Sequence, residues 1–234
     1  AKGISIKSVA LQNNSLGTVI GLTPEKAKTY RSPKDLEGLK IGVTSPGSAS
    51  SLGVALLLAK VGLTLDKVSI IGVGTGASAV AAMKSGQIDG MSNFDPAILL
   101  LERDKLLVPL VDSRTPKGLD ELYGGPMAGS SFYVTEDFVK RNPRTTQAFV
   151  NAVVKAMHWL AKASVDEIVA TVPTEYHAGG DRAVYAKMLE LNRGAFTPDG
   201  RIEPAWAETT YRSVLINDPA LKNAKIDLKE TYDN

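Results

Sequence analysis

Between residues 36 and 112, short apolar runs alternate with helix-length amphipathic stretches, and glycine, serine or proline marks each change. Residues 40–43, 68–73, 88–91 and 106–111 read as strands, and residues 48–61, 76–85 and 96–103 as helices. The first helix carries Leu52, Ala55, Leu56 and Ala59 at helical spacing and stops at Gly62; the second stops at Gly86. Strands and helices that alternate with such short connections leave few topologies open. The handedness of crossovers then points to an α/β class with a parallel, doubly wound sheet.

The flanks differ. Residues 4–11 alternate as a strand, and residues 17–22 read as a second one, closed by Thr23-Pro24. Residues 31–36 form a turn with a short helical start, in which Ser32 caps a first turn opened by Pro33. Residues 117–127 are glycine-rich and turn-like, and residues 131–134 suit a short strand. A long amphipathic helix covers about 142–163, with further helical stretches at 165–171, 180–193 and 204–216. On the long helix, Phe149, Val153, Ala156, Met157 and Leu160 form a stripe read as core. Extended segments near 9–22 and 126–134 connect the α/β part to the rest. Two crossings are what a hinge between lobes requires, and a cleft between lobes is a natural ligand site.

Composition removes whole classes of function. The 234 residues suffice for two small lobes. A formal charge of +2 with no basic run argues against nucleic-acid binding. The absence of cysteine excludes disulfides, thiolate metal sites and cysteine nucleophiles. No apolar run approaches the roughly 18–20 residues that span a bilayer. His158 lies in a helix and His177 in a loop, and neither pairs with carboxylates at metal-ligand spacing, so no metal is expected. The carboxylates are scattered and G-x-S-x-G is absent, so no catalytic residue and no cofactor are assigned.

Chemistry concentrates at three strand-to-helix turns. In Val43-Thr44-Ser45-Pro46-Gly47-Ser48-Ala49-Ser50-Ser51, small residues open a helix whose first amides lack internal partners. The hydroxyls of Ser45, Ser48, Ser50 and Ser51 add donors, and Gly47 lets a ligand approach the backbone. Such a turn suits a carboxylate, sulfonate or phosphate, and equally an ordinary capped helix. No lysine follows, so it is not a nucleotide-hydrolysing loop. The second turn is Val73-Gly74-Thr75-Gly76-Ala77-Ser78, where Ala79 replaces the third glycine of a dinucleotide fingerprint. The third is Ser92-Asn93-Phe94-Asp95-Pro96; Asn93 can donate and accept, and Asp95 reads as the cap of the helix begun by Pro96. Ligands of open parallel sheets bind at the carboxyl ends of strands, so the shared location favours a site.

These residues also carry a family resemblance. The run Ser32-Pro33-Lys34-Asp35-Leu36-Glu37-Gly38-Leu39-Lys40-Ile41-Gly42-Val43-Thr44-Ser45-Pro46-Gly47-Ser48 resembles the start of the second lobe in substrate-binding proteins of the nitrate/sulfonate/taurine type. So do Gly72-Val73-Gly74-Thr75-Gly76, Lys84-Ser85-Gly86-Gln87-Ile88-Asp89-Gly90, Asn93-Phe94-Asp95-Pro96 and Asp137-Phe138 with Asn142-Pro143. The resemblance implies a type II periplasmic-binding-protein fold closing on a small organic anion or heterocycle, and an ATP-driven ABC transporter permease as partner. It implies a periplasmic or other extracytoplasmic location. Residues 45–51, Thr75, Asn93 and the Gln12, Asn13, Asn14 segment would face the cleft.

Family members begin with a further βαβα stretch that this sequence lacks, so the first lobe is expected to be truncated at its N-terminus. Residues 1–30 would be its remnant with the first crossing, 31–125 the second lobe, and 126–234 the second crossing with helices returning to the first lobe. Two other readings use the same fold. A pyrimidine-synthesising enzyme would need a cysteine-rich motif, which is missing. A transcription-regulator sensor would carry a helix-turn-helix ahead of the α/β part.

Overall fold

The computed structural model describes residues 5–177, 180–218, 221 and 223–234. Ile4, expected to start a strand, lies outside them. The chain runs β1 (Ile6–Asn13), β2 (Val19–Leu22), α1 (Pro24–Thr29), β3 (Lys40–Val43), α2 (Ala49–Ala59), β4 (Ser69–Gly72) and α3 (Ala77–Lys84). It continues through β5 (Gly90–Asn93), α4 (Ala97–Arg103), β6 (Val108–Asp112), α5 (Pro116–Tyr123), β7 (Ser130–Thr135) and α6 (Glu136–Arg141). Helices α7 (Pro143–Lys162), α8 (Val165–Thr171), α9 (Arg182–Asn192) and α10 (Pro204–Asn217) complete it.

Five strands form one sheet in the order β4-β3-β5-β2-β6. The four strands expected from the alternating segment all lie in it, and β3 pairs parallel with both β4 and β5. The sheet differs from a wholly parallel one, because β2 enters it antiparallel between β5 and β6. Val-Ile-Gly-Leu is buried along its whole length, and a continuous apolar run suits a central strand of either direction. Gly21 makes the fit possible, since a Cβ there would press on the Leu107 side chain and the Val108 carbonyl.

Successive residues of β2 feed opposite faces, as strand geometry requires. Ile20 and Leu22 join a core with Ile41, Val43, Leu56 and Leu119, whereas Val19 joins Ala79, Met91, Ile98 and Leu101 on the other side. Helix α2 lies between the sheet and α10, with Ser50 to Leu58 buried. Strands β1 and β7 form a separate antiparallel pair, so the two extended connections run side by side.

Three helices among the described residues were not expected, the first being α1, which opens at the Thr23-Pro24 read as closing β2. α5 occupies a stretch that glycines made look turn-like, and α6 precedes the long α7. The α7 stripe is only partly core: Met157 is buried, but Phe149 is 43% exposed and Ala156 is also exposed.

Tyr123 closes one side of the core and donates its hydroxyl to Thr18 Oγ1 at 3.0 Å. Burial pushes its pKa up to about 12, and the Thr18 bond pulls slightly the other way. A phenol whose folded pKa lies above its unfolded value near 10 contributes stability that is complete below about pH 10. That contribution is lost as pH rises towards about 12. Urea midpoints are therefore expected to fall between about pH 10 and 12. Tyr123→Phe should flatten that fall while costing about 1 kcal/mol at pH 7, because Thr18 loses its partner. An equally steep alkaline fall in the variant would assign the loss to other tyrosines, such as the half-buried Tyr30 and Tyr185, whose pKa values burial also raises.

Candidate functional site

The carboxyl ends of β3, β4 and β5 lie side by side in the sheet. After β3, Ser48 caps α2, its hydroxyl accepting from the Ser51 amide at 3.4 Å. Three hydroxyls close a ring: Thr44 Oγ1 donates to Ser48 Oγ at 2.9 Å, Ser48 and Ser50 are 2.9 Å apart, and Thr44 and Ser50 are 3.0 Å apart. Ser50 Oγ also accepts from the Thr44 amide at 2.9 Å. The Leu52 amide is bonded to the Ser48 carbonyl. Among the described residues, the amide of Ala49 then remains for an outside acceptor, as expected for a first helical turn, while Ser50 is fully buried.

The expected hydroxyls separate into two groups. Ser45 and Gly47 are exposed and Ser48 is half-buried, while Ser50 and Ser51 are fully buried and face protein. Ser50 also offers its carbonyl to Ser92 Oγ at 2.7 Å, tying β5 to the start of α2. Gly47 sits at a φ of 78°, and Gly74 and Gly76 at 70° and 64°, the left-handed region that glycine enters without strain. The β4 turn therefore depends on both of its glycines, and it leaves Thr75 exposed between them.

Asn93 is buried and its amide is committed. It donates to the Gly74 carbonyl at 3.1 Å and accepts from the Phe94 amide at 2.9 Å. It joins two strand ends and does not itself open towards solvent. Gln12 is exposed, and its carbonyl accepts from the Thr197 amide. Asn13 pairs with Ser130 and bridges to Phe196, and its Oδ1 is buried without a hydrogen-bond partner. Gln12 and Asn13 thus lie with β7 and residues 196–197.

A fourth strand end was missed. Arg114, just past β6, is 4% exposed at its side chain and meets three carboxylates. It donates to Asp112 at 2.8 Å, Glu102 at 3.0 Å and Asp95 at 3.1 Å. These bonds raise its pKa against the opposing effect of burial. Asp95 is therefore not a helix cap; its other oxygen accepts from Asn192 Nδ2 at 2.8 Å. The sequence signal was available, since Asp112-Ser113-Arg114-Thr115 is also a polar strand end.

Among the residues of the three turns, Asp95 is the one side chain with an ionisable carboxyl, and Arg114 and Asn192 occupy it. The turns present hydroxyls and amides, which bind and orient but do not move protons at neutral pH. Two hollows lie elsewhere. One of about 510 Å³ is lined by Met157, Arg193 and Phe196, and another of about 450 Å³ by Leu56, Arg212 and Ile216. Neither touches the three turns.

Comparison with known proteins agrees with this architecture. The model of the NMT1-like family matches residues 7–173. The nitrate/nitrite binding protein NrtA of Nostoc sp. (strain PCC 7120 / SAG 25.82 / UTEX 2576) is 26% identical over 161 residues, which is 68% of this chain and 35% of that protein. The chain thus spans about a third of the length of this curated relative. A solved structure from Bordetella bronchiseptica RB50 is 40% identical, covers 100% of this chain and 73% of its own, and superposes with a TM-score of 0.91. The alkanesulfonate-binding protein SsuA from Xanthomonas axonopodis pv. citri, bound to MOPS, is 18% identical with a TM-score of 0.72, over 99% of this chain and 75% of its own. The desulfurization enzyme DSZB shares the fold more distantly, at 18% identity and a TM-score of 0.52, over 91% of this chain and 73% of its own. The architecture is the type II periplasmic-binding-protein fold, as the resemblance implied.

Proposed function

The chain belongs to the NMT1-like family, and on that premise we propose that it is the solute-binding part of an ABC importer. It captures a small organic anion between two lobes and delivers it to a membrane permease. The five-stranded sheet with its helices is one lobe, β1 and β7 are the crossings, and the helices from α6 to α9 belong to the other lobe. No helix among the described residues is long and apolar enough to cross a membrane. We place the protein in the periplasm or another extracytoplasmic compartment, where such importers collect solutes.

The observation that carries this reading is the set of neutral donors at two neighbouring strand ends, those of β3 and β4. The amide of Ala49 sits at the positive end of the α2 dipole, and the exposed hydroxyls of Ser45 and Thr75 lie on the same two turns. Arg114, the buried cation just past β6, is outnumbered by its own three carboxylates and has no charge to spare for a ligand. Neutral donors beside a net negative cluster favour a ligand with one diffuse negative charge and several acceptor oxygens, such as a sulfonate or nitrate. They disfavour a dianionic phosphate.

Thermal unfolding against nitrate, taurine, methanesulfonate, acetate and phosphate tests this. A true ligand at 100 times its dissociation constant should stabilise the fold by about 2.7 kcal/mol, raising the midpoint by about 5–10 °C for a chain of this size. No shift with any of the five would end the anion reading. Catalysis on this fold is the competing reading, and loss of the bound compound with appearance of a product would establish it.

Two variants separate binding from folding. Ser45→Ala combined with Thr75→Val removes exposed hydroxyls that cap nothing. It should weaken the identified anion about tenfold or more and leave the melting temperature unchanged. Ser50→Ala should act the other way, because the Thr44 amide loses its acceptor, at a cost of about 1–3 kcal/mol in stability. Unchanged affinity in the double variant, measured by calorimetry, would remove these turns from the site.

A further inference from the structure

Helix α9 is fastened to the α/β part at both of its ends. Its cap, Asp181, accepts from the Val184 amide through Oδ1 and from Arg103 Nη1 at 3.3 Å through Oδ2. Its last residue, Asn192, donates from Nδ2 to Asp95 Oδ2 at 2.8 Å and to its own Met188 carbonyl at 2.9 Å. Arg103 ends α4 and Asp95 lies just ahead of it, so α9 runs antiparallel along α4 with one polar contact at each end.

Polar side chains hold the two ends of the interface between the helices. Ala97, Ile98 and Leu101 of α4 belong to the core beneath the sheet. Tyr185, Ala186 and Leu189 of α9 belong to a different cluster, with Ile168 and Val169 of α8. Separating the helices would leave both apolar clusters intact. Asn192 also has space made for it: Gly17 has a φ of 65°, and a Cβ there would lie 2.8 Å from Asn192 Oδ1.

We propose that Asp181 and Asn192 form a two-point polar latch that holds α9 against α4, and that its release opens the cleft beside residues 93–96. The inference deepens the two-lobe reading above and adds a part to it. Asn192 is a positioning residue that acts through Asp95. Arg114 fixes one oxygen of that carboxylate to the lobe, and Asn192 holds the other. Asp95 in turn follows Asn93, whose amide fixes the β4 turn. The end at Arg103 and Asp181 is half-exposed, with side-chain exposures of 56% and 41%, and exposed ion pairs are weak. The end at Asp95, 3% exposed at its side chain, is the firmer one. A ligand that binds the released arrangement better than the latched one would shift the equilibrium between them.

The chain has no cysteine, so a labelled pair can be introduced on a clean background. Gln87 and Ala183 are exposed, one on the α/β part and one on α9. With Gln87→Cys and Ala183→Cys spin-labelled, the unliganded protein should show one main distance. Asn192→Asp, which sets a carboxylate against Asp95, should shift the distribution to a longer distance. Adding Asp95→Asn restores one amide facing one carboxylate while keeping an oxygen for Arg114, and should return the parent distance.

Should Asn192→Asp fail to fold by circular dichroism, Arg103→Glu on the surface makes the same test, with a smaller shift in the same direction. Folded variants that keep the parent distance, or a swap that folds but does not restore it, would overturn the latch. The distance is read without ligand, so failure of the anion panel leaves this result standing and the two readings are judged separately.

Discussion

Replacing Arg114 with methionine is expected to destabilise the protein by about 3–5 kcal/mol, the cost of breaking a buried ion pair from one side. In a chain of this length that lowers the melting temperature by roughly 6–20 °C. The reason lies in what remains. Asp95, Glu102 and Asp112 converge on one guanidinium, and Asp95 is 3% exposed at its side chain with a single other donor, Asn192. Without Arg114 a buried carboxylate must stay charged in a poor dielectric or take up a proton. The second course gives the loss a pH signature. The unpartnered carboxyl of the variant has its folded pKa raised above the unfolded value, so its penalty is present at neutral pH and fades as pH falls below that raised pKa. The gap between parent and variant should therefore narrow from pH 7 towards pH 5 in urea titrations. A gap that stays constant would assign the loss to packing of the arginine stem, and no loss at all would show that the cluster holds nothing together.

The same cluster shows where the sequence stops being readable. Strands β3 to β6 were legible because each is a short apolar run between glycine and serine turns, and local pattern decides such elements. The pairing of β2 was not, since an apolar run carries no mark of direction. α5 was hidden by Gly118, Gly124 and Gly125, which count against a helix wherever packing does not demand them. Within the site, the hydroxyl-rich turn was legible as a helix start. The facing of its hydroxyls was not: Ser50 and Ser51 turn inward and Ser45 outward, which depends on how β5 and the sheet lie against α2. The Arg114 cluster draws on residues 95, 102, 112 and 192. In a linear reading Asp95 looks like a helix cap and Asp112-Ser113-Arg114-Thr115 like one more polar strand end, and only the sheet order brings them together with Glu102 and Asn192.

Gly118 gives the last case, in which local propensity predicts the wrong sign. Alanine in place of a helical glycine normally stabilises, by roughly 1 kcal/mol. Here α5 opens on a tight turn: Thr115 caps it, accepting from the Gly118 amide at 3.1 Å and donating its hydroxyl to the Asp112 carbonyl at 2.8 Å. The turn brings Gly118 directly over that carbonyl, and a Cβ at 118 would overlap the Asp112 backbone. No side-chain rotation relieves a clash with backbone, so α5 must move off the sheet or the end of β6 must shift. Gly118→Ala is expected to cost about 3 kcal/mol or more, read as a lower urea midpoint at unchanged slope. Gly194→Ala is the control: its Cβ would meet open space, and its φ lies outside the left-handed region. That variant should be neutral or slightly stabilising, by up to about 1 kcal/mol. Because Asp112 carries a carboxylate of the Arg114 cluster, Gly118→Ala and Arg114→Met should also be non-additive, as contacting sites are. The pair should cost less together than the sum of the two alone, since a displaced Asp112 has already loosened what Arg114 holds. Strict additivity would mean that the helix start and the charge cluster are independent, and that the close approach at Gly118 serves packing alone.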